Sequence, residues 1–145
     1  MAAGADGVAI EAPSATAVSS VPEDRLYSAA HAWVRRVGAR AIMGISDFAQ
    51  SALGELVFVR LPAPGVQVHA GAPLGEVESL KSTSELYAPV SGRVAAVNAE
   101  LGTRPELVNA DPYGAGWLCE IEVVGEDDAV LLSAEEYRAR LGEDD

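Results

Sequence analysis

The feature that most constrains this chain is a near-repeat on either side of a polar stretch at its middle. Gly71-Ala-Pro-Leu-Gly-Glu-Val-Glu precedes that stretch and Tyr87-Ala-Pro-Val-Ser-Gly-Arg-Val follows it. Each unit holds a Pro, a Gly and a Val in a strand-sized window. Between Val77 and Tyr87 only the polar residues 79–84 can reverse the chain, which predicts a hairpin with Lys81 at or beside its tip. The Asn-Gly or Asp-Gly pair of a tight turn is missing, so the expectation rests on the polar stretch and its flanks.

Lys81 is also singular in the composition. The ten basic residues are nine arginines, at 25, 35, 36, 40, 60, 93, 104, 138 and 140, and this one lysine. A coding bias toward Arg explains the nine but not the surviving Lys. An arginine stays protonated and is a poor nucleophile, whereas a lysine amine can lose its proton and be acylated. A position that needs amine chemistry cannot drift to Arg.

The remaining totals narrow the function classes. A chain of 145 residues, 49% hydrophobic and 6% aromatic, is one ordinary domain with room for an extension. A net charge of −12 argues against nucleic acid or an anionic membrane surface as partner. The lone Cys119 cannot form an internal disulfide, and no apolar run is long enough to span a membrane. These features suggest a reducing, soluble compartment.

Residues 1–24 are rich in Ala, Ser, Val, Gly and Pro and hold no basic or aromatic residue, which reads as a disordered N-terminal tail ahead of a domain over 25–145. Neither a secretory signal nor a mitochondrial transit pattern is legible there. From Leu26 the pattern is mainly β, in short segments punctuated by Gly and Pro. Ala32–Val37 and Arg40–Ile45 around Gly38 predict a hairpin. Ser46 reads as the N-cap of a short helix, Asp47–Leu53, that Gly54 ends. Residues 55–61 are apolar on both faces and predict a strand buried on both sides. Residues 101–111 read as a loop and 117–124 as the last strand. Ser133-Ala-Glu-Glu136 is a capping-box pattern that opens a helix through Arg140, with Gly142 at its end.

At the hairpin, Glu78 stands three residues before Lys81 and Glu85 four after, in Glu78-Ser79-Leu80-Lys81-Ser82-Thr83-Ser84-Glu85. For an arbitrary lysine this would be a solvated turn with surface ion pairs of little worth. A projecting tip, matched flanks and the absence of any other lysine point instead to an attachment site. A tethered cofactor must reach several active sites from a rigid base, and tethering raises its effective concentration at each. Acylation would remove the ammonium charge and leave a long apolar arm, which could lie along an apolar groove on its own protein.

The segment from Glu78 to Gly92 resembles the lipoylation segment of the glycine cleavage H proteins. The likeness continues in Tyr27 through His31 and Trp33, in Gly44-Ile-Ser-Asp-Phe-Ala-Gln50, in Leu53-Gly-Glu-Leu-Val-Phe-Val59, in Glu106-Leu-Val-Asn109 and in Pro112-Tyr through Gly116-Trp117. It implies a flattened β-barrel, a barrel-sandwich hybrid of the biotinyl/lipoyl type, with added N-terminal strands, a short internal helix and a C-terminal helix. It further implies lipoate carried as N6-lipoyllysine at Lys81, with Glu78, Ser79 and Glu85 as flanking recognition residues. The implied role is a carrier and not an enzyme. Such a carrier takes the aminomethyl group of glycine from a pyridoxal-phosphate glycine decarboxylase (P protein) to a folate-dependent aminomethyltransferase (T protein). It is reoxidised by dihydrolipoyl dehydrogenase (L protein) and loaded by a lipoate ligase or a lipoyl/octanoyl transferase. A monomer in a bacterial cytoplasm is the expected form.

Two departures from the family pattern stand out. Family members commonly have Glu between the His and Trp of the early segment, where this chain has Ala32, and some have His just before the Leu-Gly that here is Leu53-Gly54, where it has Ala52. Polar contacts that shelter a loaded arm would differ accordingly.

Cys119 sits in an apolar strand and reads as a buried structural thiol. His31 and His69 lack companions at metal-ligand spacing. No phosphate-loop signature and no nucleophile–base set is present. Trp33, Trp117 and Phe58 read as core, with Trp33 beside His31 as an alternative groove lining. A biotin carrier is disfavoured because Leu80 and Ser82, not Met, flank the lysine, and an acyltransferase subunit would need a further domain. An H-like relay of lipoyl or octanoyl groups to other enzymes, and an interaction domain without cofactor, remain as alternatives.

Overall fold

The computed structural model describes residues 20–124 and 130–144. Strands β1 (Leu26–Tyr27), β2 (Ala32–Val37) and β3 (Arg40–Ile45) lead into helix α1 (Asp47–Leu53). There follow β4 (Leu56–Arg60), β5 (Gln67–Val68), β6 (Pro73–Ser79), β7 (Thr83–Tyr87) and β8 (Gly92–Val97). A 3-10 turn (Ala99–Gly102), helix α2 (Leu107–Ala110), strand β9 (Cys119–Val123) and helix α3 (Ala134–Asp144) complete the chain. The strands form a six-stranded sheet in the order β1-β2-β3-β9-β8-β5 and a three-stranded sheet in the order β4-β6-β7. Neighbouring strands in both sheets pair antiparallel. The two sheets face one another without closing, so the architecture is a flattened barrel-sandwich, mainly β.

Alternation on β2 explains why this sheet is covered on both sides. Ala32 and Val34 point into the main core with Met43, Ile45, Leu56, Val77 and Leu86. Trp33, between them, points to a second cluster with Val21, Tyr27, Ala134 and Tyr137 under α3. Tyr27 and Tyr137 stack at 4.6 Å, and the Trp33 indole donates to the Pro112 carbonyl at 2.9 Å. Directly opposite Trp33 lies Gly44, whose lack of a side chain makes room for the indole.

The hairpin around Gly38 and the helix opened by Ser46 form with the predicted bounds. Ser46 Oγ accepts from Ala49 N at 3.2 Å, and Gly54 N donates to the Gln50 carbonyl. At α3 the capping box is reciprocal: Ser133 N donates to Glu136 Oε1 and Glu136 N to Ser133 Oγ. The helix continues past Gly142 to Asp144.

Three expectations are corrected. Strand β4 is not buried on both sides, because a bulge between Leu56 and Phe58 shifts the alternation. Leu56 and Val59 point inward, while Val57 and Phe58 are 46% and 47% exposed on a sheet with one covered face. Phe58 is therefore not core, and Trp117 is half-buried at the edge of the second cluster. Residues 101–111 are not plain loop: they include the end of the 3-10 turn capped by Asn98 and the single turn α2. Elements of one turn are too short to show a period.

Within the segment read as a tail, residues 1–19 lie outside the described residues. Residues 20–24 lie against the domain: Val21 is buried, Ser20 N donates to Asp47 Oδ2, Tyr113 Oη donates to the Ser20 carbonyl, and Arg138 pairs with Glu23.

Candidate functional site

The register of β6 and β7 places Val77 opposite Ser84 and Glu78 opposite Thr83, which leaves Leu80, Lys81 and Ser82 as the turn. The flanking near-repeat closes the other end of the same ladder, with Gly71 N donating to the Ala88 carbonyl and Ala88 N to that of Ala72. Ser79 organises the turn. Its N donates to the Ser82 carbonyl at 2.8 Å, and its Oγ accepts from Lys81 N and Ser82 N, both at 3.2 Å. A side-chain oxygen thus replaces the missing Asn-Gly chemistry. Leu80 is 73% exposed and Lys81 is exposed beside it.

Glu78 and Glu85 are brought to the hairpin but not to the ammonium. Glu85 lies opposite Glu76 in the ladder and accepts from the Tyr87 hydroxyl at 3.1 Å. That bond and the neighbouring negative charge push the Tyr87 phenol above its ordinary range. Glu76 itself pairs with Arg60 at 3.0 Å. The carboxylates around Lys81 therefore present a charged rim to solvent.

The stem of Lys81 lies against Gly54 at the end of α1. A methyl group on that glycine would stand 3.4 Å from Lys81 Cε. Asn109, from α2, fixes this stretch: its Nδ2 donates to the Gly54 carbonyl at 2.8 Å and to Gln50 Oε1, and its Oδ1 accepts from Leu56 N at 2.9 Å. Between these two, the Glu55 carbonyl accepts from Leu80 N. The lysine turn is thereby tied to α1 through three elements. Sequence reading missed Gly54 as the floor beneath the lysine, because a contact between residues 54 and 81 has no local signal.

Beside this floor an apolar cleft of about 170 Å³ opens between α1 and β7. Ile45, Phe48, Ala49, Leu53 and Leu86 line it, with His31 on the β2 side. Ala32 and Ala52 are both on its wall, so the two departures from the family pattern fall together on one surface. Trp33 is 1% exposed and belongs to the second cluster, not to the groove. Cys119 is fully buried, which pushes its thiol up to about 12. No metal-ligating cluster occurs among the described residues, and no described helix is long and apolar enough to cross a membrane.

A braced hairpin tip that presents the chain's one lysine beside an apolar groove, on a flattened barrel-sandwich, is the arrangement of the biotinyl/lipoyl class. Comparison with known proteins gives the family. The glycine cleavage H-protein model matches residues 25–144. The glycine cleavage system H protein of Mycobacterium bovis BCG Pasteur is 53% identical over 134 residues, covering 87% of this chain and all of that protein. The H protein of Mycobacterium avium is 54% identical over 132 residues with the same coverage. The crystal structure of the H protein from Mycobacterium marinum superposes with a TM-score of 0.75 at 44% identity, covering 84% of this chain and 99% of that one. The chain belongs to the glycine cleavage H-protein family, whose members are lipoyl carriers and not catalysts.

Proposed function

We propose that Lys81 is the lipoyl attachment point, carried as N6-lipoyllysine on the domain over residues 25–145. The observation that supports this most is that the chain's one lysine projects from a braced turn with its stem directed over Gly54, next to an apolar cleft. The residues fit the group: loading needs a reachable amine to attack an activated acyl carbonyl, and an acylated, uncharged stem needs an apolar place to rest. Glu78, Ser79 and Glu85 serve as recognition residues for a lipoate ligase or a lipoyl/octanoyl transferase. Ser79 holds the turn's shape, and the two glutamates offer charge to a basic rim.

When attached, the lipoyl group supplies a redox-active disulfide that takes up the aminomethyl group of glycine. The chain's own part is to bind, orient and shelter that arm between visits to glycine decarboxylase, the aminomethyltransferase and dihydrolipoyl dehydrogenase. It does so as a monomer in a bacterial cytoplasm; the bacterial origin of its relatives supports the bacterial host. A relay of lipoyl or octanoyl groups is the second reading, favoured by the methyl walls at Ala32 and Ala52, which suit a plain acyl chain as well as an aminomethyl end.

The test is the intact mass of the chain after incubation with lipoate, ATP and a lipoate ligase, with Lys81→Arg as control. One lipoyl increment confined to Lys81 supports the carrier; no increment, under conditions that modify a known H protein, overturns it. Glycine-dependent growth of a strain carrying only this H protein then separates glycine cleavage from relay.

A further inference from the structure

Phe58 is a large apolar side chain that the fold turns away from its core. The bulge between Leu56 and Phe58 leaves Val57 and Phe58 at 46% and 47% exposure on neighbouring positions of β4. Bulges recur where a sheet re-aims a side chain, and apolar groups gathered within a polar rim mark interaction sites.

The register fixes what surrounds this residue. Phe58, Glu78 and Thr83 form one row across β4, β6 and β7, and Arg60, Glu76 and Glu85 form the next. Val59, Val77 and Leu86 belong to the core, so strand alternation puts both rows on the outer face of the sheet. Tyr87 continues that face beyond Glu85, to which its hydroxyl donates. At the opposite end Leu80 is 73% exposed on the lysine turn, and its N–H is tied to the Glu55 carbonyl at the entry to β4. The exposed side chains of Leu80, Val57 and Phe58 therefore lie at one end of the sheet, next to Lys81. Their rim is acidic, with the three carboxylates of Glu76, Glu78 and Glu85 against the single cation of Arg60, which pairs with Glu76 at 3.0 Å.

We propose that this outer face, with Phe58 as its apolar anchor, docks the enzyme that acylates Lys81, through an apolar socket on that enzyme bordered by Arg and Lys. The proposal deepens the carrier reading and rests on it. Reach selects the occupant. Acylation joins Lys81 Nζ to an activated acyl carbonyl; an amide forms, AMP or a carrier thiol leaves, and the proton of the amine passes to the leaving group or to solvent. No arm exists yet at that moment, so the enzyme must bring its reacting carbon to the amine itself and seat on the hairpin that carries it. The inner face of that hairpin is core, which leaves the outer one. Enzymes that act on the finished arm meet its far end and have no such need. Charge sets the chemistry of the socket's border: the excess of carboxylates on this face, like the net charge of −12 on the chain, attracts Arg and Lys.

The test measures initial rates of acylation of the full chain, read by intact mass. One arm uses a lipoate ligase with lipoate and ATP, the other an octanoyltransferase with an octanoyl carrier protein. Phe58→Ala should lower kcat/KM by about tenfold with at least one of the two, through KM and not kcat, as truncation of an aromatic anchor does. Added salt should raise the KM of the parent, and Glu78→Gln should flatten that dependence. Val37→Ala, at a residue 53% exposed on the other sheet, is the control and should match the parent. Hydrogen exchange of the parent chain under saturating enzyme needs no variant and should slow over β4. Parent-like kcat/KM in Phe58→Ala with both enzymes, or a loss confined to kcat, overturns the docking proposal and leaves Lys81 as the carrier site. Parent-like loading with slowed turnover of the lipoylated variant by glycine decarboxylase gives the face to a user of the arm, and parent-like loading with loss of a dimer gives it to a second copy; either result also overturns the proposal. A parent chain that takes no acyl group at Lys81 from either enzyme overturns the carrier reading, and the docking proposal with it.

Discussion

The stem of Lys81 rests on the backbone of Gly54, with Cε 3.4 Å and Nζ 3.8 Å from where a methyl group on that glycine would stand. Gly54 ends α1 at φ 85° and ψ −165°, a conformation that non-glycine residues rarely adopt. One residue therefore terminates the helix, accepts the Asn109 bond and provides the surface over which the lysine leaves the tip.

Gly54→Ala separates these roles. The methyl meets Lys81 at an ordinary contact distance, so the cost is conformational, about 1–3 kcal/mol. Urea denaturation should show that loss, while the folded fraction should still take up one lipoyl group at Lys81. A variant as stable as the parent would contradict the assigned strain.

Asn109→Ala removes three hydrogen bonds and strands the Leu56 N–H and the Gly54 carbonyl. Leaving buried polar groups unpaired costs about 1–3 kcal/mol each at most sites. Stability should fall by at least as much as in Gly54→Ala, and amide exchange at Leu80 should quicken as its acceptor, Glu55, loses its brace.

Gly44→Ala places a methyl 2.6 Å from Trp33 Nε1, against an indole that is 1% exposed and bonded to the Pro112 carbonyl. Overpacking of this kind costs about 1–3 kcal/mol. A lowered denaturation midpoint together with an altered indole emission spectrum is expected; an unchanged spectrum would mean the strand yields instead.

Burial raises the Cys119 thiol from its ordinary 9.0 to about 12, so the unfolded chain loses that proton at lower pH than the folded one. Below the unfolded value both states keep the proton and stability is unaffected by it; as pH climbs from 9.0 toward about 12 only the unfolded state is deprotonated, and stability falls. Tyr27, also raised by burial, adds in the same direction. Denaturation midpoints measured between neutral pH and the alkaline range should decline, with a shallower slope in Cys119→Ala. The native thiol should resist alkylation until the chain unfolds.

Local chemistry made much of this protein legible without coordinates. Gly38, Ser46 with Gly54, and the Ser133–Glu136 box set their elements because caps and turns depend on residues within about four positions of each other. The matched flanks placed Lys81 at a hairpin tip by the same logic, and its solitary status pointed to its chemistry. Beyond that range the sequence was silent. The bulge that turns Phe58 outward depends on pairing with Glu78, and the brace under the lysine depends on Asn109 meeting Gly54 across 55 positions. The cleft is assembled from β2 and the turn before it, from β3, α1, β6 and β7, and the hydrogen-bonded chain His31–Tyr137–Ser46 spans residues 31 to 137. Only tertiary packing decides such contacts, because burial and hydrogen-bond partners belong to the whole fold and not to any window of the chain.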